Sequence, residues 1–498
     1  MITLDTMAPL MFGGLIVFML IGYPVAFSLG AVGLLFGYIG IEMGFFSSAL
    51  LQALPDRVFG ILSNDLMLSI PFFTFMGAIL ERCGLAEDLL EGTGQLFGAL
   101  PGGLAYAVII VGAVLGAITG TVAASVIAMG MISLPVMMRY GYNMRLATGV
   151  IAASGTITQL IPPSLVLVVL ADQLGKSVGD MYAGAIGPSI VQVLLFCGFI
   201  FVMSILKPET MPPLPPEART VRGWPLIRRV LWGMVPSLAL IFLVLGTILM
   251  GLATPTEGGA MGAVGALVLA AIHKRLTLSL LWQGMDSTLR ITAMVIFILI
   301  GSTVFGLVFR GVDGDLWIEH HLLSLPGGQI GFLIAVNLFC FFLAFFLDYF
   351  EIAFILIPLL APVAEKLGID LIWFGVLLGA NLQTSFMHPP FGFALFYLRG
   401  VAPKEVKSSD IYWGALPWVG LQLLLVAIII VWPGLVTNFV SKDGAPDMPM
   451  SIESPVTTPK SGEGEDGDGA DKASSDGLRS NKEAVDDTSD IEKMLKAR

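Results

Sequence analysis

Charge is what this sequence has least of. Only 13% of its 498 residues are Asp, Glu, Lys or Arg, against roughly 25% in an ordinary soluble domain. With 56% hydrophobic residues and a mean hydropathy of +0.87, a solvated globule is excluded. No basic cluster dominates either: 26 Lys and Arg face 37 Asp and Glu, a net charge of -11, which argues against a nucleic-acid binder. The three cysteines, Cys83, Cys197 and Cys340, stand far apart in apolar runs and form neither a disulfide framework nor a CxxC metal pattern. The four histidines, His273, His320, His321 and His388, build no HExxH motif and give Ser154-Gly155 no base at protease spacing. Gly175-Lys176-Ser177 resembles the end of a P-loop, but position 170 is leucine where glycine is required, so nucleotide binding is excluded.

What the sequence has in abundance is apolar runs. Runs of about 20 residues, the length that crosses a bilayer as a helix, recur from Leu4 to Val440. Residues 1–5 carry no basic segment and the first run leads into another, so a cleavable signal is not expected. A polytopic protein of the bacterial inner membrane is expected. Residues 441–498 differ in kind: 14 acidic and 8 basic residues among Gly, Ser and Pro, with no apolar period. Such a segment buries too little surface to offset its ordering entropy, and a disordered acidic tail is expected.

The chain repeats itself. Leu100-Pro101-Gly102-Gly103 recurs at 325–328, Pro162-Pro163 at 389–390, Asp180-Met181-Tyr182 as Asp410-Ile411-Tyr412, and Gly30-Ala31-Val32-Gly33 at 262–265. The matches keep their order at nearly constant offset, which divides the chain into repeats over residues 1–206 and 231–438 joined by a polar linker, 207–230. Lys and Arg favour cytoplasmic loops. Lys207, Arg219, Arg222, Arg228 and Arg229 place the linker inside, as do Arg139 and Arg145 for their loop and Arg399, Lys404 and Lys407 for theirs. The loop matching residues 139–145 holds Glu365, Lys366 and Asp370, and the loop matching residues 399–410 holds only Lys176, so matching loops face opposite sides. The fold expected is therefore all-α, with two inverted-topology repeats. The one discordant stretch is residues 81–103, placed inside with Arg82 as its single basic residue.

Each repeat contains two interrupted apolar segments. In the first, residues 104–138 fold back at Gly116-Ala117-Ile118-Thr119-Gly120-Thr121 as a re-entrant hairpin, and residues 146–171 break at Ser154–Gln159 before Pro162-Pro163. In the second, the hairpin spans 329–364 with a tip at Leu347-Asp348-Tyr349-Phe350-Glu351, and residues 372–398 break at Asn381–Ser385 before Pro389-Pro390. Proline removes a donor and clashes with the preceding turn, and unwound backbone survives at membrane depth only where it is buried or lines a cavity. Freed carbonyls and Ser/Thr hydroxyls are hard oxygen ligands, suited to Na+. Asp348 and Glu351, flanked by apolar runs, are candidate cation ligands or structural caps. Thr254-Pro255-Thr256-Glu257 fits a capping box, and Gly112, Gly116 and Gly120 permit close helix contact. Residues 52–63 and 277–290 occupy matching positions as interfacial arms.

These motifs together, with 116–123, 155–163, 254–257 and 381–390 in order, resemble the large membrane subunit of tripartite ATP-independent periplasmic (TRAP) transporters over about residues 5–440. Residues 348–351 and 381–398 look most like the branch called mannitol/chloroaromatic. The resemblance implies an elevator-type, Na+-coupled carrier of the ion-transporter superfamily that takes up a small organic acid. It also implies a small four-helix membrane subunit and a periplasmic solute-binding protein as partners. Carried over by position, one Na+ site would use Thr119, Gly120 and Thr121 with Ser154, Gly155, Thr156 and Thr158, and the second Leu347 and Asp348 with Asn381, Gln383, Thr384 and Ser385. Substrate would lie near Thr121, Gln159, Gln383 and Ser385. A stand-alone Na+/dicarboxylate-type symporter of the same superfamily is the alternative; an enzyme or channel lacks the residues it would need.

Overall fold

The structure, a computed structural model, describes residues 3–440 apart from 120, 220–222 and 391; the acidic tail at 441–498 and the tip residue Gly120 lie outside the described residues. Every regular element among the described residues is helical. The first half holds α1 (Leu4–Leu20), α2 (Val25–Glu42), α3 (Ala49–Gln52), α4 (Leu54–Leu62), α5 (Asp65–Arg82), α6 (Leu85–Phe97), α7 (Gly103–Thr119), α8 (Val122–Arg139), α9 (Met144–Thr156), α10 (Leu165–Gln173) and α11 (Val178–Leu206). The second holds α12 (Trp224–Leu249), α13 (Pro255–Ile272), α14 (Leu278–Gly311), α15 (Gly314–Leu323), α16 (Gly328–Leu343), α17 (Tyr349–Lys366), α18 (Leu371–Leu382), α19 (Phe393–Val401), α20 (Ser408–Val431) and α21 (Gly434–Thr437).

Several elements recur at a nearly constant offset. Helices α8 and α17 start at 122 and 349 and are both 18 residues long; α10 and α19 start at 165 and 393 and are both 9. Short polar caps set the starts of α9, α10 and α18. Asn143 accepts from Arg145 N at 3.0 Å, Ser164 from Val166 N at 3.2 Å and Asp370 from Trp373 N at 2.7 Å, each satisfying an amide that a helix N-terminus leaves free. Thr254 and Glu257 close the capping box read from the sequence, with Thr254 N donating to Glu257 Oε2 at 2.8 Å. The arms differ. Asn64 caps α5 and bends it by 48° from the preceding arm, whereas α14 runs unbroken for 34 residues, about 51 Å. The second arm is thus a continuation of a span, because residues 286–292 contain no helix breaker.

Seven helices among the described residues are long and apolar enough to cross a bilayer, and two bent pairs raise that to nine. Val17, Phe27, Leu34, Phe242, Leu289, Phe297 and Val431 are exposed on the outside of the bundle. So much outward apolar surface is stable only against lipid.

The repeats exchange partners. Helix α2 packs on α14 and its counterpart α13 on α5; α9 packs on α20 and its counterpart α18 on α11. Loops that carry basic residues meet on one face: Arg145 Nε lies 3.4 Å from Asp410 Oδ1, and Asn143 N donates to Thr210 O of the linker at 2.9 Å. Gly102 N donates to Met211 O and Leu214 N to Gly98 O, so the discordant stretch sits on the linker's side after all. The matching loops meet elsewhere, where Asp180 is within electrostatic reach of Asp370 and Gln329 Nε2 donates to Leu367 O at 2.6 Å. This is the inverted arrangement expected.

At the α9–α20 crossing a Cβ on Gly149 would run into the Gly414 carbonyl and one on Gly414 into the Arg145 carbonyl. Backbone on both sides cannot yield, so Gly149→Val should cost about 1–3 kcal/mol by overpacking. The expected reading is a lowered Tm of the purified chain; an unchanged Tm refutes the close crossing.

Candidate functional site

Both breaks form as 3-10 turns, Ile157–Gln159 after α9 and Gln383–Phe386 after α18, each followed by a cis Pro-Pro bond at 162–163 and 389–390. Helix α9 persists through Ser154, Gly155 and Thr156, so the first break starts three residues later than the composition alone suggests. The hairpins sit directly on the breaks. Built Cβ atoms on Gly112 and Gly116 of α7 would come within 2.7 Å of Ser154 Cβ and 2.9 Å of Thr158 Cα. On the other side, Asn381 Nδ2 donates to Asn337 O of α16 at 2.7 Å, and His388 stacks on Phe345 with centroids 4.1 Å apart.

The hydroxyls share one arrangement. Ser154 Oγ donates to Ile151 O (2.8 Å), Thr156 Oγ1 to Ala153 O (2.9 Å), Thr158 Oγ1 to Gly155 O (2.9 Å), Thr384 Oγ1 to Asn381 O (2.8 Å) and Ser385 Oγ to Leu382 O (2.7 Å). Each spends its one proton on a carbonyl three residues back and is left with lone pairs. All five are buried, as are Gln159 Oε1, Asn337 Oδ1 and Asn381 Oδ1, which have no hydrogen-bond partner. A buried region with acceptors that no protein donor meets favours a positively charged or donor ligand, since an unmet buried acceptor carries its full desolvation cost.

The sequence-derived residues separate into groups. Ser154, Gly155, Thr158, Gln159, Asn381, Thr384 and Ser385 converge at the two breaks, fully or nearly fully buried. The breaks touch, because Thr156 Oγ1 is 3.5 Å from Met387 Sδ. Thr156 and Gln383 are already engaged by side chains from the opposite repeat: Gln422 Nε2 donates to Thr156 Oγ1 at 3.0 Å, and Gln192 Nε2 to Gln383 Oε1 at 2.6 Å. Thr121 is the half-buried, extended residue before α8, and Thr119 ends α7. Leu347 is buried beside Asp348, which opens α17. There Asp348 Oδ1 accepts from Glu351 N and Glu351 Oε2 from Asp348 N, both at 2.9 Å, a reciprocal box that fixes the tip. Sequence reasoning missed Gln192, Gln422 and Asn337. The signal was present: lone amides inside long apolar runs, Gln192 and Gln422 at the repeat's own offset.

Residues 12–435 match the family described as the DctM component of tripartite ATP-independent periplasmic transporters. The chain belongs to this family. It is 30% identical over 388 residues to the C4-dicarboxylate TRAP transporter large permease protein DctM of Pseudomonas aeruginosa, covering 78% of this chain and 88% of that one. The sialic acid TRAP transporter large permease SiaM of Vibrio cholerae is 28% identical over 83% of this chain and 93% of its own. The solved YdaH transporter of Alcanivorax borkumensis shares the fold, with a TM-score of 0.56 at 14% identity over 79% of this chain and 90% of that one. This DctM-family chain is accordingly a multi-pass inner-membrane permease and not an enzyme. The relatives' names give C4-dicarboxylates, sialic acid and isethionate, so they lend no support to the mannitol/chloroaromatic branch read from residues 348–351.

Proposed function

We propose that the chain is the permease subunit of a Na+-coupled importer of a small organic acid, fed by an extracytoplasmic binding protein and working with a small membrane subunit. The observation that carries this reading is the pair of buried breaks where Ser154, Thr158, Thr384 and Ser385 spend their hydroxyl protons on backbone carbonyls and keep acceptor lone pairs. Na+ is a hard cation that oxygen donors of this kind hold. Bound cations near Ser154–Thr158 and near Asp348 with Asn381–Ser385 would supply the positive charge an acid needs between them, close to Gln159 and Ser385. The named solutes of the relatives, C4-dicarboxylates, sialic acid and isethionate, are all anions at neutral pH. The hairpins and breaks would move together as the carrying element of an elevator, with α2, α5, α13 and α14 as the fixed frame.

The test is uptake into proteoliposomes containing the chain and its co-encoded small subunit, with the co-encoded binding protein and labelled succinate, isethionate and sialic acid in turn. Accumulation that needs an inward Na+ gradient and all three proteins is expected. Equal uptake in choline removes Na+ coupling. Full uptake by the chain alone favours the stand-alone symporter.

A further inference from the structure

Two glutamines bury uncharged amides in the middle of long apolar helices, Gln192 in α11 and Gln422 in α20, and both are fully buried. They occupy equivalent places: α11 and α20 begin at 178 and 408, and each glutamine is fourteen residues further on. Each reaches across to the other repeat's break. Gln192 exchanges two bonds with Gln383, Nε2 to Oε1 at 2.6 Å and Oε1 from Nε2 at 3.4 Å. Gln422 Nε2 donates to Thr156 Oγ1 at 3.0 Å and lies 3.8 Å from Met387 Sδ. Thr156 and Gln383 are themselves equivalent, at the same offset of 227 that separates the starts of α9 and α18.

We propose that Gln192 and Gln422 are positioning residues, each clasping the helix break of the opposite repeat so that the oxygens freed there stay aimed at bound cation. The clasp rests on the Na+ reading above. Without it each break is a short 3-10 turn beside a double proline, with few main-chain bonds to fix its carbonyls. The two clasps are unequal. Loss of Gln192 strips Gln383 of both its side-chain hydrogen bonds, whereas loss of Gln422 leaves Thr156 its own bond to Ala153 O. Gln192 therefore matters more.

Methionine keeps the length of glutamine and removes its hydrogen bonds. The purified full chain, wild type, Gln192→Met and Gln422→Met, is titrated with NaCl against choline chloride at constant ionic strength, and the Tm is followed by tryptophan fluorescence. The readout is the Na+ concentration giving half the maximal rise in Tm. Gln192→Met should raise it about tenfold and Gln422→Met about threefold, the scale set by leaving buried amide groups unpaired. A purely structural role would lower Tm in both salts and leave the midpoint unmoved, which overturns the proposal. Should Gln192→Met not fold, Gln422→Met decides by the same criterion. A wild-type Tm indifferent to Na+ overturns the cation reading, and the clasp with it; a responsive wild type with unmoved variants overturns the clasp alone.

Discussion

Replacing Gly116 with leucine should abolish uptake while the chain still inserts and folds. Gly116 faces Thr158 across the contact between α7 and the first break, where a built Cβ would lie 2.9 Å from both Thr158 Cα and Thr158 Cγ2. One turn earlier Gly112 meets Ser154 in the same way. The obstacle is main chain in part, so it cannot rotate aside, and a leucine must push the hairpin bodily off the break. Overpacking of this kind costs about 1–3 kcal/mol, small for a bundle of this size but concentrated where the donors must converge. An initial uptake rate reduced more than about tenfold is expected with Gly116→Leu, and an intermediate loss with Gly116→Ala. Gly198 of α11 supplies the control: a Cβ there meets nothing within 4 Å, so Gly198→Leu should transport normally. Wild-type rates in Gly116→Leu would mean that the hairpin does not need to seat against Thr158.

The features legible in the sequence were those written locally. Double prolines at 162–163 and 389–390 mark both breaks, Thr254–Glu257 announces a helix start, and the basic loops give the two faces. What was not legible depends on contacts between repeats. Composition made Thr156 and Gln383 look like free ligands, and only the crossing of α20 over α9 and α11 beside α18 shows both already bonded to Gln422 and Gln192. Residues 81–103 had little charge to support their expected side for a related reason: that side is fixed by main-chain bonds to the linker, which leave no trace in side-chain charge. The unequal arms arose from a single cap, since Asn64 starts a new helix and nothing equivalent interrupts α14.

Asp348 tests the cation reading most sharply, because its two roles come apart under different substitutions. As the residue before α17 it accepts from Glu351 N, and alanine would forfeit that cap at about 1 kcal/mol. Asparagine caps a helix about as well as aspartate but carries no charge. Asp348→Asn should therefore keep the Tm of the wild type in choline and yet raise the Na+ concentration for half-maximal uptake about tenfold, as expected when a partly buried carboxylate partner of a cation is neutralised. Asp348→Ala should lose both stability and Na+ affinity. Glu351→Gln separates the neighbour, because its side-chain oxygen still accepts from Asp348 N and the box survives. Its Na+ dependence should match wild type if Asp348 alone faces the ion. Were Asp348→Asn to need no more Na+ than the wild type, the carboxylate would be a cap and nothing else, and the second cation would have to be held by the oxygens of Asn381, Thr384 and Ser385 without it.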